Sequence, residues 1–394
     1  ENKDKKVLNV PNLRFPEFQG EWQETRLKEI SKFSKERLNS IELSCSNYVT
    51  TENMLQDYKG IVSATNLPTN TNVVKFSKGD VLLSNIRPYL KKVWYADRNG
   101  GCSADVFVFK ALPICNSNFL HHVIANDRFI KFVMGGAKGV KMPRGDKEQM
   151  ITYKVGLPCI EEQKKIANLL SLLDERISTQ NKIINKLQSL IKGIMIELQK
   201  QGQNKGNWRN VLLSKVLTER DERNTNLYQV FSVSVSRGVI NQVDYLGRSF
   251  AARDTSKYNV VHYGDLVYTK SPTGAYPYGI VKQNLNQENV AVSPLYGVYI
   301  PNSLSVGTYL HEYFRSEINT HNYLHPLIQK GAKNTINITN QRFLENSVPM
   351  PVCANELLLI SKLLISFNDK IKYQQSILQQ YQKQKQYLLR QMFI

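Results

Sequence analysis

An α+β fold is predicted for this chain: two mixed α/β units, each followed by one long coiled-coil helix, with the second unit repeating the first. Three observations predict it. A set of landmarks recurs at a spacing of roughly 190 residues. A seven-residue apolar period runs through two separate stretches, and each of those stretches closes one repeat.

The landmarks come in the same order twice. Each unit opens on a tryptophan and a short amphipathic stretch, WQETRLKEI from Trp22 and WRNVLLSKVL from Trp208. A Gly-Asp turn then leads into an apolar strand, GDVLLSN at Gly79 and GDLVYTK at Gly264. A second strand-like run follows, ADVFVFKA and PLYGVYIP, and then one helical pattern, FLHHVIANDRFIKFVM and VGTYLHEYFRSEINTHNYL. A second glycine marker recurs as GGAKGVKM at Gly135 and KGAKNTIN at Lys330, and each unit ends at a proline, Pro158 or Pro351. The predicted segments are 1–157, 158–200, 201–350 and 351–394: globular with an N-terminal arm, helix, globular with a short linker, helix. QKQGQNKGN, residues 199–207, is polar and glycine-bearing and reads as the linker closing the first unit.

Proline ahead of each helix, with Glu161 and Glu162 in one first turn and Glu356 in the other, gives start signals that suit the helix dipole. In the first helix Leu170, Ile177, Ile184, Ile191 and Leu198 recur every seventh residue, with Leu173, Gln180, Leu187 and Ile194 three places on. The second has Leu364, Ile371, Leu378, Lys385 and Met392, with Phe367, Gln374, Tyr381 and Leu388. Both are a/d seams, and the two helices are each other's obvious partner. Periodicity leaves their orientation open. An antiparallel pair would relate the two units by a pseudo-twofold axis and bring Gln180 and Gln374, at matching d positions, close to it. A polar pair in an apolar seam can fix register at a cost in stability.

The chain has 52 Lys and Arg against 33 Asp and Glu, a formal charge of +19, which points to a polyanionic partner. No apolar run approaches the roughly 18 residues of a membrane span and ENKDKKVLNV lacks the apolar core of a signal peptide, so duplex DNA is preferred to a membrane and a cytoplasmic location is expected. The five cysteines are scattered without C-x-x-C spacing and read as reduced, buried packing residues. His121 and His122 are adjacent, and His311-Glu312 lacks the second histidine of H-E-x-x-H, so no metal site is expected.

Two similar folds held apart by a stiff spacer can read two separated sites on one polymer, about one helical turn or 34 Å apart on DNA. The candidate contacts are basic, amide and aromatic residues beside the glycine markers: Asn85, Arg87, Tyr89, Lys91 and Lys92, then Lys138, Lys141 and Arg144 in the first unit. In the second they are Arg237, Tyr268, Lys270, Thr273, Lys330, Lys333, Asn334 and Asn337. One such lysine is ordinarily a solvated charge; the clustering carries the reading. Since the loops differ while the landmarks match, the two half-sites should differ and the target should be asymmetric. There is no G-x-x-x-x-G-K-[ST] loop, no N-P-P-aromatic signature and no G-x-G-x-x-G turn, and Asp57-Tyr58-Lys59 is an isolated D-x-K without a placed second carboxylate. No catalytic residue is assigned. The alternatives are a self-contained nuclease and, less well matched to the charge, a structural coiled-coil adaptor.

PNLRFPEFQGEW at 11–22, LPCIEEQKKIANLLSLLDERI at the head of the central helix and its altered copy VPMPVCANELLLISKLLISFNDKI together resemble the specificity subunits of type I restriction-modification systems. The resemblance extends over the whole chain. It implies two target recognition domains separated by antiparallel conserved helices, and a bipartite DNA target with a spacer of several base pairs. It also implies that the helices bind two modification subunits, which use S-adenosylmethionine to methylate adenine, and that restriction subunits complete an ATP- and Mg-dependent nuclease. No cofactor is expected in this chain. The second copy departs at Leu357, where Gln163 stands in EEQKK, and at Asn368, where Asp174 stands in LLDER.

Overall fold

The structure is a computed structural model that describes residues 9–139, 141–330 and 336–394, without the side chains of Lys330, Ile336 and Asn337. The chain divides into two compact units, 1–182 with 376–394 and 183–375. Each holds one globular domain and parts of both long helices.

In the first unit an antiparallel four-stranded sheet runs in the order Ser31–Phe33, Val106–Ala111, Val81–Ser84, Val93–Tyr95. The second unit has the same order and pairing in Leu217–Glu219, Gly297–Pro301, Leu266–Tyr268, Val281–Gln283. A two-stranded ribbon closes each domain onto its own start: Gln23–Arg26 with Lys154–Leu157, and Trp208–Leu212 with Ser347–Pro351. The repeat read from the landmarks is therefore a repeat of strand order and register. What differs is the second layer. In the first unit it is a four-stranded sheet, Arg37–Asn39, Asn72–Phe76, Gly100–Cys102, Tyr48–Val49. In the second it is the pair Asn259–Val261 with Val290–Val292 and a separate hairpin, Phe231–Ser234 with Gly238–Asn241.

The Gly-Asp landmark has a physical cause. Gly79 and Gly264 sit at φ +91° and +92°, where a side chain is strained. The aspartate that follows closes the turn by accepting the N–H three residues back, Ser77 to Asp80 and His262 to Asp265, each at 2.8 Å. Its remaining charge is held by a cation from the sheet, Lys110 at 3.1 Å in one unit and the fork of Arg220 at 2.6 and 3.1 Å in the other.

Each single helical pattern proves to be two helices. Ser117–Ile124 and Asp127–Gly135 are split where Asn126 caps the second by accepting from the N–H of Arg128 at 2.9 Å; Leu304–Tyr313 and Glu317–Leu324 are split at the cap of Ser316. A short polar residue that competes for backbone N–H groups breaks the run without disturbing the apolar period.

The central helix spans Ile160–Lys205 and the distal helix Ala354–Gln391. Residues 199–205, read above as linker, are helical. Gly202 is small because the Trp208 ring lies against it: a Cβ there would come within 2.1 Å of that ring, and the helix stops only at Gly206, φ +71°. Of the predicted seam, Leu170, Gln180, Ile184, Ile191, Leu364, Ile371 and Gln374 are buried and Ile177, Leu187, Leu378 and Tyr381 half-buried. Towards its end the seam slips, and Met195 is buried in place of Ile194, because a straight helix drifts by about 20° per heptad.

Within the first unit the two helices run antiparallel: Asp174 of the central helix accepts from Lys385 of the distal one, and Arg176 lies over the ring of Tyr381 at 5.9 Å. The core of this unit joins the sheet to both helices, through Leu170 and Leu173 of one and Leu388, Met392 and Phe393 of the other. Phe119 stacks on Phe393 at 5.3 Å, and Arg128 donates to the main-chain carbonyls of Phe393 at 3.0 Å and Arg390 at 3.3 Å, a cation placed on a helix C-terminus. All five cysteines are free, but only Cys102 and Cys115 are buried; Cys45, Cys159 and Cys353 are exposed, contrary to the packing role expected of them. Cys159 and Cys353 stand just before the long helices, where the chain turns at the surface. Among the described residues no helix is long and apolar enough to cross a membrane.

Candidate nucleic-acid interface

In the first unit the two basic loops, fifty residues apart in sequence, form one surface. The backbone of Ile86 bridges to Arg144, Arg87 donates its N–H to Pro143 at 2.8 Å, and Gly145 donates to Asn85 at 3.2 Å. Lys138 and Arg144 exchange both main-chain bonds at 3.0 and 2.9 Å, closing the second loop on itself. A third segment joins them: Asp57 and Tyr58 donate to the carbonyls of Leu90 and Lys91 at 3.1 and 2.9 Å. Asp57, Tyr58, Arg87 and Lys91 all have φ between +52° and +59°. Four non-glycine residues in the left-handed region at one spot mark a shape held against local preference, as loops shaped for contact are.

The cations of this surface fall into two groups. Lys91 lies 2.8 Å from Asp127, which also accepts from the Tyr58 hydroxyl, and Lys92 donates to the carbonyl of Thr51 at 2.5 Å. These two lysines fasten the loop. Arg87, Tyr89, Lys138, Lys141 and Arg144 are exposed. Lys138 pairs with Asp146 at 2.6 Å and Arg144 with Asp105 at 3.3 Å, while among the described residues Arg87 and Lys141 have no carboxylate partner. Asn85 is half-buried behind them.

In the second unit the structure corrects one expected contact. Tyr268 is 1% exposed and stacked on Phe343 at 4.8 Å, and burial pushes its hydroxyl pKa up. It faces the core because it ends a strand of the central sheet on the inward side. From there its hydroxyl donates to the carbonyl of Tyr278 at 2.8 Å, and buried Tyr276 donates to that of Arg315 at 2.7 Å, so both tyrosines hold the Ser271–Gly279 loop from beneath. Thr273 lies in that loop, its N–H and C=O paired with Tyr276 at 3.0 Å; Lys270 is half-buried, and burial lowers its pKa. Arg237 is exposed at the tip of the Phe231–Asn241 hairpin. Lys333 and Asn334, and the side chains of Lys330 and Asn337, lie outside the described residues.

Sequence reasoning missed a neighbouring group. Arg237 lies over the ring of Tyr245 at 5.9 Å, and Arg248 over that of Phe250 at 4.5 Å, with Phe250 58% exposed. The signal was present in YLGRSFAAR, where arginine and aromatic residues alternate without an apolar period.

The helix heads fasten to their domains. Glu162, 1% exposed, takes both ends of the Arg14 guanidinium at 2.8 Å, and Gln163 accepts from the N–H of Asn116 at 2.8 Å while donating to Ile114 and Pro158. Glu356 instead accepts from the indole of Trp208 at 2.9 Å, and Leu357 is buried where Gln163 stands in the first copy. Asn368 turns to Glu312 at 2.8 Å, whereas its counterpart Asp174 pairs with Lys385. Both departures of the second copy are thus internal repairs.

A doubled sheet frame, with paired long helices and different loop surfaces, defines a two-module scaffold. Residues 19–189 match the family model described as the type I restriction modification DNA specificity domain. A specificity subunit of the type I restriction enzyme MjaVIII from Methanocaldococcus jannaschii is 27% identical over 217 residues, 51% of this chain and 46% of that protein. That of the Escherichia coli enzyme EcoDI is 24% identical over 120 residues, 30% and 27% of the two chains. The matched stretches span less than half the length of these relatives. The crystal structure of a type I restriction-modification S subunit from M. genitalium shares the fold, with a TM-score of 0.61 at 12% identity over 98% of this chain and 99% of the other. The first unit and the head of the central helix are thus similar to the type I restriction modification DNA specificity domain, and the fold as a whole is similar to that of an S subunit.

Proposed function

We propose that this chain is the DNA-recognition subunit of a type I restriction-modification complex, reading an asymmetric bipartite target with one half-site per unit. The observation that carries this is the contrast between frame and surface: the two units share sheet order and register but present different basic loops. Equal frames place the two readers alike, and unequal loops read unequal sequences. The outer faces of the long helices, where Leu172, Leu190 and Ile196 of one and Leu359, Tyr373 and Tyr387 of the other are 47–66% exposed, suit the docking of two modification subunits. Those partners would supply S-adenosylmethionine-dependent adenine methylation, and restriction subunits the ATP- and Mg-dependent cleavage. The lone chain should neither methylate nor cut. Added modification subunits should produce methylation at one bipartite motif, read by methylome mapping; methylation or cutting by the chain alone would overturn the reading.

A further inference from the structure

The hairpin tip and the segment after it in the second unit are built to put apolar rings into solvent. Helix Gln242–Leu246 has no buried residue: Val243, Tyr245 and Leu246 are 51%, 40% and 44% exposed. Phe250 follows at 58%. One exposed apolar residue needs no explanation, but four within eight residues mark a contact surface. The segment is also held in shape. Asn241 caps the helix by accepting from Val243 and Asp244, Gly247 ends it at φ +74°, and the main-chain N–H of Phe250 is clamped by the Gln242 side chain at 2.8 Å. Ala252 is tied to the Tyr258 hydroxyl at 3.0 Å. The Phe250 ring therefore projects from a fixed base.

The charge around it selects the partner. Arg237, Arg248 and Arg253 form no salt bridge among the described residues, and two of them lie over the exposed rings. Asp244 and Asp254 are the nearby acids, and Asp254 is engaged by the N–H of Ser256 at 2.9 Å. Resting on the DNA reading above, we propose that residues 235–250 are a DNA wedge: the Phe250 ring enters a base step in the half-site of this unit, with Arg248 and Arg237 on the flanking phosphates. Phenylalanine wedges unstack such steps, and pyrimidine–purine steps yield most easily. Among the described residues the first unit shows no counterpart, and its basic loops carry one exposed ring, Tyr89.

The test uses the full chain assembled with its modification subunits, on duplexes carrying the motif found by methylome mapping. 2-Aminopurine is placed in turn at each adenine of the half-site, and thymines are probed with permanganate. The wild-type complex should unstack one step other than the methylated adenine. Phe250→Ala should abolish that signal and weaken binding by about tenfold or more, while Phe250→Trp retains both. Unstacking confined to the methylated adenine, or independent of residue 250, would overturn the wedge, as would weaker binding of Phe250→Ala to a duplex that the wild type leaves stacked. Failure of Phe250→Ala to assemble with modification subunits would show a protein-docking surface instead. Failure of the wild-type complex to bind its mapped duplex would overturn the DNA reading itself.

Discussion

Arg87 and Tyr268 both sit in repeated strand-to-loop segments, yet one faces solvent and the other the core. Arg87→Ala removes an unpaired exposed cation and should weaken DNA binding while reducing the slope of log affinity against log salt by about one, measured by titration at several salt concentrations. Tyr268→Ala should instead lower stability by about 3–5 kcal/mol, seen in a urea melt, and leave the salt slope unchanged, since it removes no charge. Residue type was legible for both, but orientation was not: a tyrosine at a strand end is buried or exposed according to pleat, which one sequence leaves open. Protonation follows the same logic. Burial lowers the His311 pKa to about 4 and holds that of His122 well below its usual value, and His311 accepts the N–H of Gln283 through Nδ1 at 2.9 Å, as a neutral ring does. The unfolded chain binds more protons than the native one below the ordinary histidine pKa of about 6.5. Stability should therefore be fully present above about pH 6.5 and fall as pH drops toward about 4. Urea midpoints across that range check it, and His311→Asn should flatten part of the slope.

At the scale of elements, Lys385 shows how far a period can be read. The seven-residue repeat placed it in the seam, and it is there, 9% exposed; its partner Asp174 lies in the other helix and no spacing announces it. The same limit applies to the loops. Their basic character was legible, but backbone bonds joining Ile86 and Arg87 to Pro143 and Arg144 depend on tertiary folding. Removing one member of the ion pair should cost more than removing both. Asp174→Asn strands a buried lysine and should destabilise by about 1–3 kcal/mol, whereas Asp174→Asn with Lys385→Ile reproduces the Asn368 and Ile191 pair of residue types found at the equivalent positions. The double variant should recover most of the loss, giving a coupling energy in a denaturation cycle; simple additivity would remove the pair from any role in matching the helices.

For the whole molecule, modular reading makes a sharp demand: exchanging residues 22–157 for those of another specificity subunit should change one half of the methylated motif and leave the other half intact. If both halves changed, the units would not read independently. Gln180 and Gln374, 7% and 9% exposed, carry polar groups into a seam that also holds the charged Lys385. Replacing both by leucine should raise thermal stability while permitting alternative helix registers, detected as a second motif spacing or as added oligomers. A single unchanged spacing would dismiss them as register determinants. The frame was legible at this scale because landmarks recur in order; the differing second layer was not, since its strands are short and share no repeated residues.

The second unit is one continuous stretch, while the first is closed by residues 376–394, through Leu388, Met392 and Phe393 in its core. During synthesis, therefore, the segment made first waits longest. The second unit has all its residues once the ribosome has passed position 375, but the first lacks part of its core, including the partner of Phe119, until the last turns of the distal helix emerge. Chain made early and finished late is the part most exposed to proteases and chaperones, and interrupted translation near the end should leave a native second unit beside an unfinished first one.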